Sequence, residues 1–324
     1  MSHKRFAAID IGSNTFRLLI AEKSTAAAAL PWHIVYYTHR IIRLGEGLHQ
    51  HGKLADNAMQ RALVAFTEFS QLVAKYQVST ASTLALATAA MREASNGEAF
   101  CASVEAQTGL QIHIIDGNTE ARMSLAGASA VLTPSTRQDM LLFDIGGGSS
   151  EFIRAANGQC RDAISTKMGV VRLVEAHLQT DPPSATDYQK MVDAADLHLH
   201  DVVDSWGDDV SPPQYLVGTA GTVTTLAATQ LDLAPYDADK INNHWMDRDS
   251  FYALRDRLLT MNHQQRQLIR TIETGRADLI IAGLAIIEAI FIRFHYDGMF
   301  IVDAGLLEGG WLEISDCPFK PEQQ

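Results

Sequence analysis

The sequence predicts an α/β protein made of two copies of one structural unit, and three observations predict it. A buried apolar run, Phe6 to Ile11, breaks at a Gly12-Ser13-Asn14 turn and resumes from Phe16 to Ala21, which is the pattern of a β-hairpin. That pattern restarts in mid-chain: Met140 to Phe143, the turn Asp144-Ile145-Gly146-Gly147-Gly148, then Phe152-Ile153. Asp10-Ile11-Gly12 thus recurs as Asp144-Ile145-Gly146. Between and after the hairpins, strand-like runs alternate with helical stripes, the signature of layered α/β folds.

The elements follow in order. Residues 33–44 read as a strand ending in Arg43-Leu44-Gly45-Glu46-Gly47. Residues 55–76 are helical, because Ala58, Leu63, Phe66, Phe69, Val73 and Tyr76 recur at three to five positions. Strands near 82–88 and 111–115 flank a helix near 93–107, and Thr119 starts a helix to about Leu132. Pro134 and Ser135 precede the restart and fit a boundary. The second half is richer in helix, near 170–179, 184–206, 220–230, 248–272 and 276–295. In the last of these, Leu279, Gly283, Ile286, Ile287, Ile290 and Phe294 form a strong stripe. A strand at 300–302 and a helix at 306–314 close the pattern, and residues 317–324 read as a disordered tail. The expected division is a first domain over 1–124, a second over 125–315 whose last helix can pack back on the first, and a tail from 316 to 324.

Composition excludes several classes. Over 324 residues, 47% hydrophobic and 20% charged describe a soluble protein with sizeable cores. The most apolar stretch, Leu279 to Phe294, carries Glu288 and Arg293 and reads as a buried helix, so no membrane association is expected. The start of the chain enters a strand pattern without the apolar segment of a signal peptide, so the cytoplasm is the expected location. Cys101, Cys160 and Cys317 are scattered and odd in number, hence buried free thiols. A net charge of −12 argues against general nucleic-acid binding. It also means that any polyanionic substrate must be met by a local field of backbone N–H groups, a few cations and a metal.

The strongest chemical signal is Asp144-Ile-Gly-Gly-Gly-Ser149-Ser150-Glu151. Three glycines after a buried strand let the backbone approach a ligand and aim successive N–H groups at an anion. Asp144 stands at a strand end, where ligands bind in α/β folds. Carboxylate oxygens beside a phosphate suit Mg²⁺, so Asp144 and Glu151 are the expected metal ligands, with Asp10 as a third. Gly12-Ser13-Asn14-Thr15 is the first-half counterpart, and two such turns facing each other would form opposite walls of one phosphate cleft. Gly218-Thr219-Ala220-Gly221-Thr222 reads as strand end, turn and helix start, another potential anion site. Arg43, Lys167, Arg172 and Arg276 are candidates to extend a positive track. Asp196-Leu-His198-Leu-His200-Asp201 resembles a metal cluster but is discounted, because residues two apart on a helix do not face each other.

Eight segments carry a more specific likeness: AAIDIGSNTFRLLI (7–20), IIRLGEGL (41–48), ATAAMREA (87–94), DGNTEAR (116–122), FDIGGGSSEF (143–152), MGVVRLVE (168–175), GTAGTVTTLAA (218–228) and GRADLIIAGLAII (275–287). In their order and coverage they resemble the exopolyphosphatase and guanosine pentaphosphate phosphatase (Ppx/GppA) family, in its short two-domain form. The resemblance implies two actin-like domains, of the ribonuclease H-like superfamily that includes sugar kinases and heat-shock ATPases, with a cleft between them. It also implies Mg²⁺-dependent removal of terminal phosphate from inorganic polyphosphate or guanosine pentaphosphate.

By the same resemblance Glu120 is the catalytic glutamate and Arg92 a phosphate-binding arginine, while Ser13, Asn14, Gly146, Gly147, Gly148 and Ser149 contact phosphate. On its own, Glu120 reads as an ordinary acid in the first turn of a helix. One departure stands out: where the family often has Gly-Leu-Arg-Glu-Gly, this chain has Gly305-Leu306-Leu307-Glu308-Gly309. Longer members carry further C-terminal domains, which implies a shorter polymer channel here. A guanosine pentaphosphate phosphatase, a nucleotide-dependent kinase or ATPase of the same superfamily, and a non-catalytic polyphosphate or alarmone sensor stay open as rivals, as does a homodimer.

Overall fold

A computed structural model describes residues 4–25, 27–207 and 212–316. The expected tail from Cys317 lies outside them. The chain divides into two compact units. One takes in the chain up to Ala130 and resumes at Ala304; the other is Val131–Asp303. The expected division at 124/125 cuts inside a continuous helix, Gly117–Val131, which stays with the first unit for nearly its whole length.

The first unit is built on five strands: β1 (Arg5–Ile11), β2 (Thr15–Lys23), β3 (Trp32–Ile41), β4 (Thr83–Ala87) and β5 (Ile112–Ile114), in the order β3-β2-β1-β4-β5. β1, β2 and β3 are antiparallel neighbours, whereas β4 runs parallel to β1 and β5 to β4. β1 is a nearly unbroken apolar run because both of its faces are covered. Phe16, Phe66 and Phe69 are part of the core shared with the helix Asp56–Lys75. Trp311, from the closing helix Leu306–Asp316, is fully buried and donates its Nε1–H to the Phe6 carbonyl at 3.2 Å. Leu307 is buried in that helix, so the position where the family often has arginine is filled here by an apolar side chain.

The second unit has six strands: β6 (Asp139–Ile145), β7 (Ser150–Ala156), β8 (Gln159–Thr166), β9 (Tyr215–Thr219), β10 (His244–Asp247) and β11 (Gly298–Ile301). Their order is β10-β11-β9-β6-β7-β8. β6-β7-β8 is an antiparallel meander, and β9 and β11 join in parallel. The first unit's order is therefore repeated as β8-β7-β6-β9-β11, with β10 added at the edge. This is the repeat that the recurring Asp-Ile-Gly announced, and it is the actin-like α/β architecture. The helix Leu279–Phe294 is buried along almost its whole length at the centre of this unit's core.

Three local readings need correction. The helix expected over 248–272 ends at Leu259, and a separate helix, His263–Gln267, follows. Asn262 starts it with a reciprocal capping box to Gln265. The fully buried Arg266 donates to the carbonyls of Ala277 and Met261, which fixes the irregular return. The helix expected near 93–107 is two pieces, Ala89–Glu93 and Gly97–Thr108. Gly97 packs so closely on the Met91 carbonyl that a Cβ would sit 2.2 Å away. Strands β8 and β10 were not foreseen; β8 is largely exposed and polar, so it lacks the apolar alternation that marks a half-buried strand.

Candidate active site

Both hairpins are built alike. In the first, Gly12 N–H donates to the Thr15 carbonyl at 3.1 Å; in the second, Gly146 N–H donates to the Ser149 carbonyl at 3.0 Å. The cross-strand registers match as well, pairing Asp10 with Arg17 and Asp144 with Glu151.

Each turn has its carbonyls tied off from one side. Gly146 and Gly147 accept from the N–H groups of Val170 and Val171 at 3.1 and 2.9 Å, and Gly148 accepts from Arg172 Nε at 2.7 Å. Ser13 accepts from Gly45 N–H at 2.8 Å, and Asn14 from Ile42 and Arg43 N–H, each at 2.8 Å. In a trans peptide the carbonyl and the following N–H point in opposite directions. The N–H groups of Gly147, Gly148 and Ser149 therefore aim away from the helix Val170–His177, and that of Asn14 away from residues 42–45. Successive N–H groups aimed one way form an anion cradle.

The glycines serve this by their lack of bulk. The described glycines with positive φ are Gly47, Gly52, Gly109, Gly158 and Gly207, none of them in either turn. A Cβ on Gly169 would instead lie 2.3 Å from the Gly147 carbonyl oxygen, and one on Gly146 2.9 Å from that of Ser149.

Beside the second turn stand two carboxylates on adjacent strands, Asp144 at 9% exposure and Glu151 at 1%. Glu151 Oε1 accepts from Ser149 Oγ at 2.9 Å and from Ser165 Oγ at 2.7 Å. Asp144 is also level with Thr219 of β9. The chemistry of these donors, two hard-oxygen ligands set side by side at a turn rich in N–H groups, fits a divalent cation bound together with a phosphate. Among the described residues, no group of three or more His, Cys, Asp or Glu side chains is placed to hold a metal. An open site with few protein ligands is therefore the kind these residues can build. Asp10 differs. Its Oδ2 accepts from Arg17 Nε at 2.8 Å and pairs with Nη2 at 2.7 Å. Burial works against the Arg17 charge, but Asp10, Glu308 and Tyr37 outweigh it and hold the guanidinium pKa above its ordinary value.

In the first unit, Glu120 is buried to 7% exposure in the first turn of the helix Gly117–Val131. Asp116 caps that turn by accepting from Thr119 N–H at 2.7 Å, and this hydrogen bond holds its carboxyl below the usual range. Arg92 Nη1 bridges the Glu120 carboxylate, at 3.2 Å, and the Ile115 carbonyl, at 2.6 Å. The structure thus brings together Glu120 with Arg92, Ser13 with Asn14, and Asp144 with Glu151, Ser149 and the triple glycine.

Of the four track cations, Arg172 caps the triple-glycine turn and Lys167 is exposed. Arg276 pairs with Glu273 and lies against Gly221, and Arg43 sits in a left-handed backbone. Asp196 and His200, four apart, do meet, but around Arg293. Sequence reasoning missed Arg17 and Ser165. The signal for Arg17 was available, because it stands seven positions after Asp10 as Glu151 does after Asp144.

Comparison with known proteins gives this site its context. The Ppx/GppA phosphatase family matches residues 19–316. This chain belongs to the Ppx/GppA phosphatase family. It is similar to exopolyphosphatase 2 of Mycobacterium tuberculosis, with 30% identity over 90% of this chain and 91% of that protein. It is 28% identical to a guanosine-5'-triphosphate,3'-diphosphate pyrophosphatase of Vibrio atlanticus over 96% of this chain but only 59% of that protein. Among solved structures, a Cytophaga hutchinsonii exopolyphosphatase has a TM-score of 0.86 at 25% identity, covering 97% of this chain and 98% of that one. The Aquifex aeolicus Ppx/GppA protein has a TM-score of 0.78 at 27% identity, with coverage of 97% and 98%. As a family member the chain is a phosphoric anhydride hydrolase, and such phosphatases are generally divalent-metal dependent. No described helix is long and apolar enough to cross a membrane.

Proposed function

We propose that this enzyme is an exopolyphosphatase that removes the terminal phosphate of inorganic polyphosphate, with Glu120 as its catalytic base. The observation that carries the reading is the buried Glu120 carboxylate held by Arg92 at the N-terminus of a helix. Phosphoryl transfer asks a protein mainly for a positioned water and for charge stabilisation. Glu120 orients the water and takes its proton. A bond forms between the water oxygen and the terminal phosphorus, the bridging P–O bond breaks, and orthophosphate leaves the shortened chain. Arg92 keeps Glu120 in place and offers a guanidinium fork to phosphoryl oxygens.

Within the first unit, Ser13 and Asn14 are assigned to phosphate contact. Within the second, the N–H groups of the Gly146–Ser149 turn are assigned to phosphate contact, and Asp144 and Glu151 would hold Mg²⁺. When bound, that ion neutralises charge on the phosphate oxygens. Arg17 satisfies Asp10, so Asp10 is assigned to the support of its hairpin and not to the metal.

The full-length likeness to the mycobacterial exopolyphosphatase favours polyphosphate. Guanosine pentaphosphate is the second reading, supported by the Vibrio relative, although this chain spans only 59% of that protein. Orthophosphate release with Mg²⁺ should fall at least about 100-fold in Glu120→Gln, with the fold intact by circular dichroism. Equal rates for variant and wild type would remove Glu120 from the chemistry. Competition between polyphosphate and guanosine pentaphosphate would rank the two substrates.

A further inference from the structure

The first phosphate turn is pressed from behind by residues 42–47, which act as a strap. Ile42 and Arg43 N–H converge on the Asn14 carbonyl, and Gly45 N–H takes that of Ser13. Between these contacts and that of Gly45, Arg43 adopts a left-handed backbone, φ 55°, which is unfavourable for a residue with a side chain. Gly45 fits flush against Ser13, where a Cβ would stand 3.1 Å from the serine Cβ.

One side chain holds the strap's other edge. Arg61, on the helix Asp56–Lys75, donates Nε to the Ile42 carbonyl at 2.9 Å and Nη2 to that of Arg43 at 3.4 Å. Nη2 also pairs with Glu46 Oε2 at 3.0 Å. An arginine that is 40% exposed and paired to a surface glutamate would contribute little by charge alone. Its fork spans the peptides that carry the strained residue, and that placement gives it a task. A planar, rigid set of donors suits the grip on two adjacent carbonyls, and a lysine ammonium could not reproduce it.

We propose that Arg61 is a positioning residue for phosphate binding. By clamping Ile42 and Arg43 it keeps the strap's N–H groups on the carbonyls of Ser13 and Asn14, and so keeps the turn's own N–H groups set for the substrate. The inference rests on the hydrolase reading above, and it predicts a loss of binding with chemistry retained.

The test compares wild type, Arg61→Ala, Arg61→Lys and a control, Arg5→Ala. Arg5 also pairs with a glutamate, Glu22, and a carbonyl, that of Tyr76, but far from the turn. Orthophosphate release from polyphosphate, equilibrium binding of labelled polyphosphate, and the thermal midpoint are measured for each. Arg61→Ala should raise KM and Kd about tenfold with kcat within about twofold, the signature of lost ground-state binding. Arg61→Lys should fall between it and wild type. Arg5→Ala should change the midpoint by a similar amount and neither constant.

Arg61→Ala with KM and Kd no different from those of Arg5→Ala would overturn the inference, as would a fall in kcat alone. A wild type that binds polyphosphate but releases no phosphate would instead sink the hydrolase reading, and Kd would still decide the role of Arg61.

Discussion

Opposite the strand-end aspartate, the first hairpin carries Arg17 and the second carries Glu151. The skeletons are otherwise alike: the same seven-residue spacing, the same N–H to carbonyl closure of the turn, the same tying-off of carbonyls from behind. In the first hairpin the buried aspartate is neutralised within the protein, so the turn offers N–H groups beside a pair with no net charge. In the second, two carboxylates lie side by side on adjacent strands. One duplicated element thus carries an ion pair beside its turn in one copy and two adjacent carboxylates in the other, by changing a single cross-strand partner.

The largest expected effect comes from breaking the neutral pair. Arg17→Leu leaves Asp10 buried without its partner, and should destabilise the first unit by about 3–5 kcal/mol. Urea unfolding measures this; a change below about 1 kcal/mol would mean that Asp10 does not depend on Arg17.

Next comes Glu151, the carboxylate proposed to hold the metal. Glu151→Gln keeps the shape and the serine hydrogen bonds but removes the charge. It should lower phosphate release about 100-fold (~2.7 kcal/mol) and weaken the Mg²⁺ dependence, read as activity against Mg²⁺ concentration. An unchanged Mg²⁺ curve would dissolve the contrast between the hairpins.

The smallest effect sharpens the comparison at the backbone. Gly169→Ala drives a Cβ into the Gly147 and Gly148 backbone, where neither atom can yield, and should lower activity at least about tenfold. Gly12→Ala meets only the Thr15 carbonyl at 3.0 Å and should cost about 1 kcal/mol or less, read as a shift in the thermal midpoint.

The candidate residues could be picked out of the sequence because the motifs that carry them are local. The Asp-Ile-Gly repeat, the triple glycine and the glutamate in a helix's first turn each lie within a few consecutive residues, where spacing maps directly on to geometry. The contacts of Asp10, Arg61 and Arg276 were not legible. Whether a charged side chain faces a ligand or another residue depends on neighbours far along the chain. Arg61 reaches 18 and 19 positions back to its carbonyls, and Arg276 lies on Gly221 from a separate segment. The broken helix after Leu259 was hidden for a related reason, because an internal cap at Asn262 and the buried Arg266 override a continuing helical pattern.

By itself, the sequence determined the two-fold α/β repeat and the position of both turns. These follow from apolar periodicity and from glycine and carboxylate placement, which act over one or two turns of chain. Only the tertiary structure decided that Asp10 pairs with Arg17 and that Asp144 and Glu151 stand beside one another. It also decided which way the turn peptides face. Both depend on pairing across strands and on elements packed behind the turns, and spacing along one strand does not encode that.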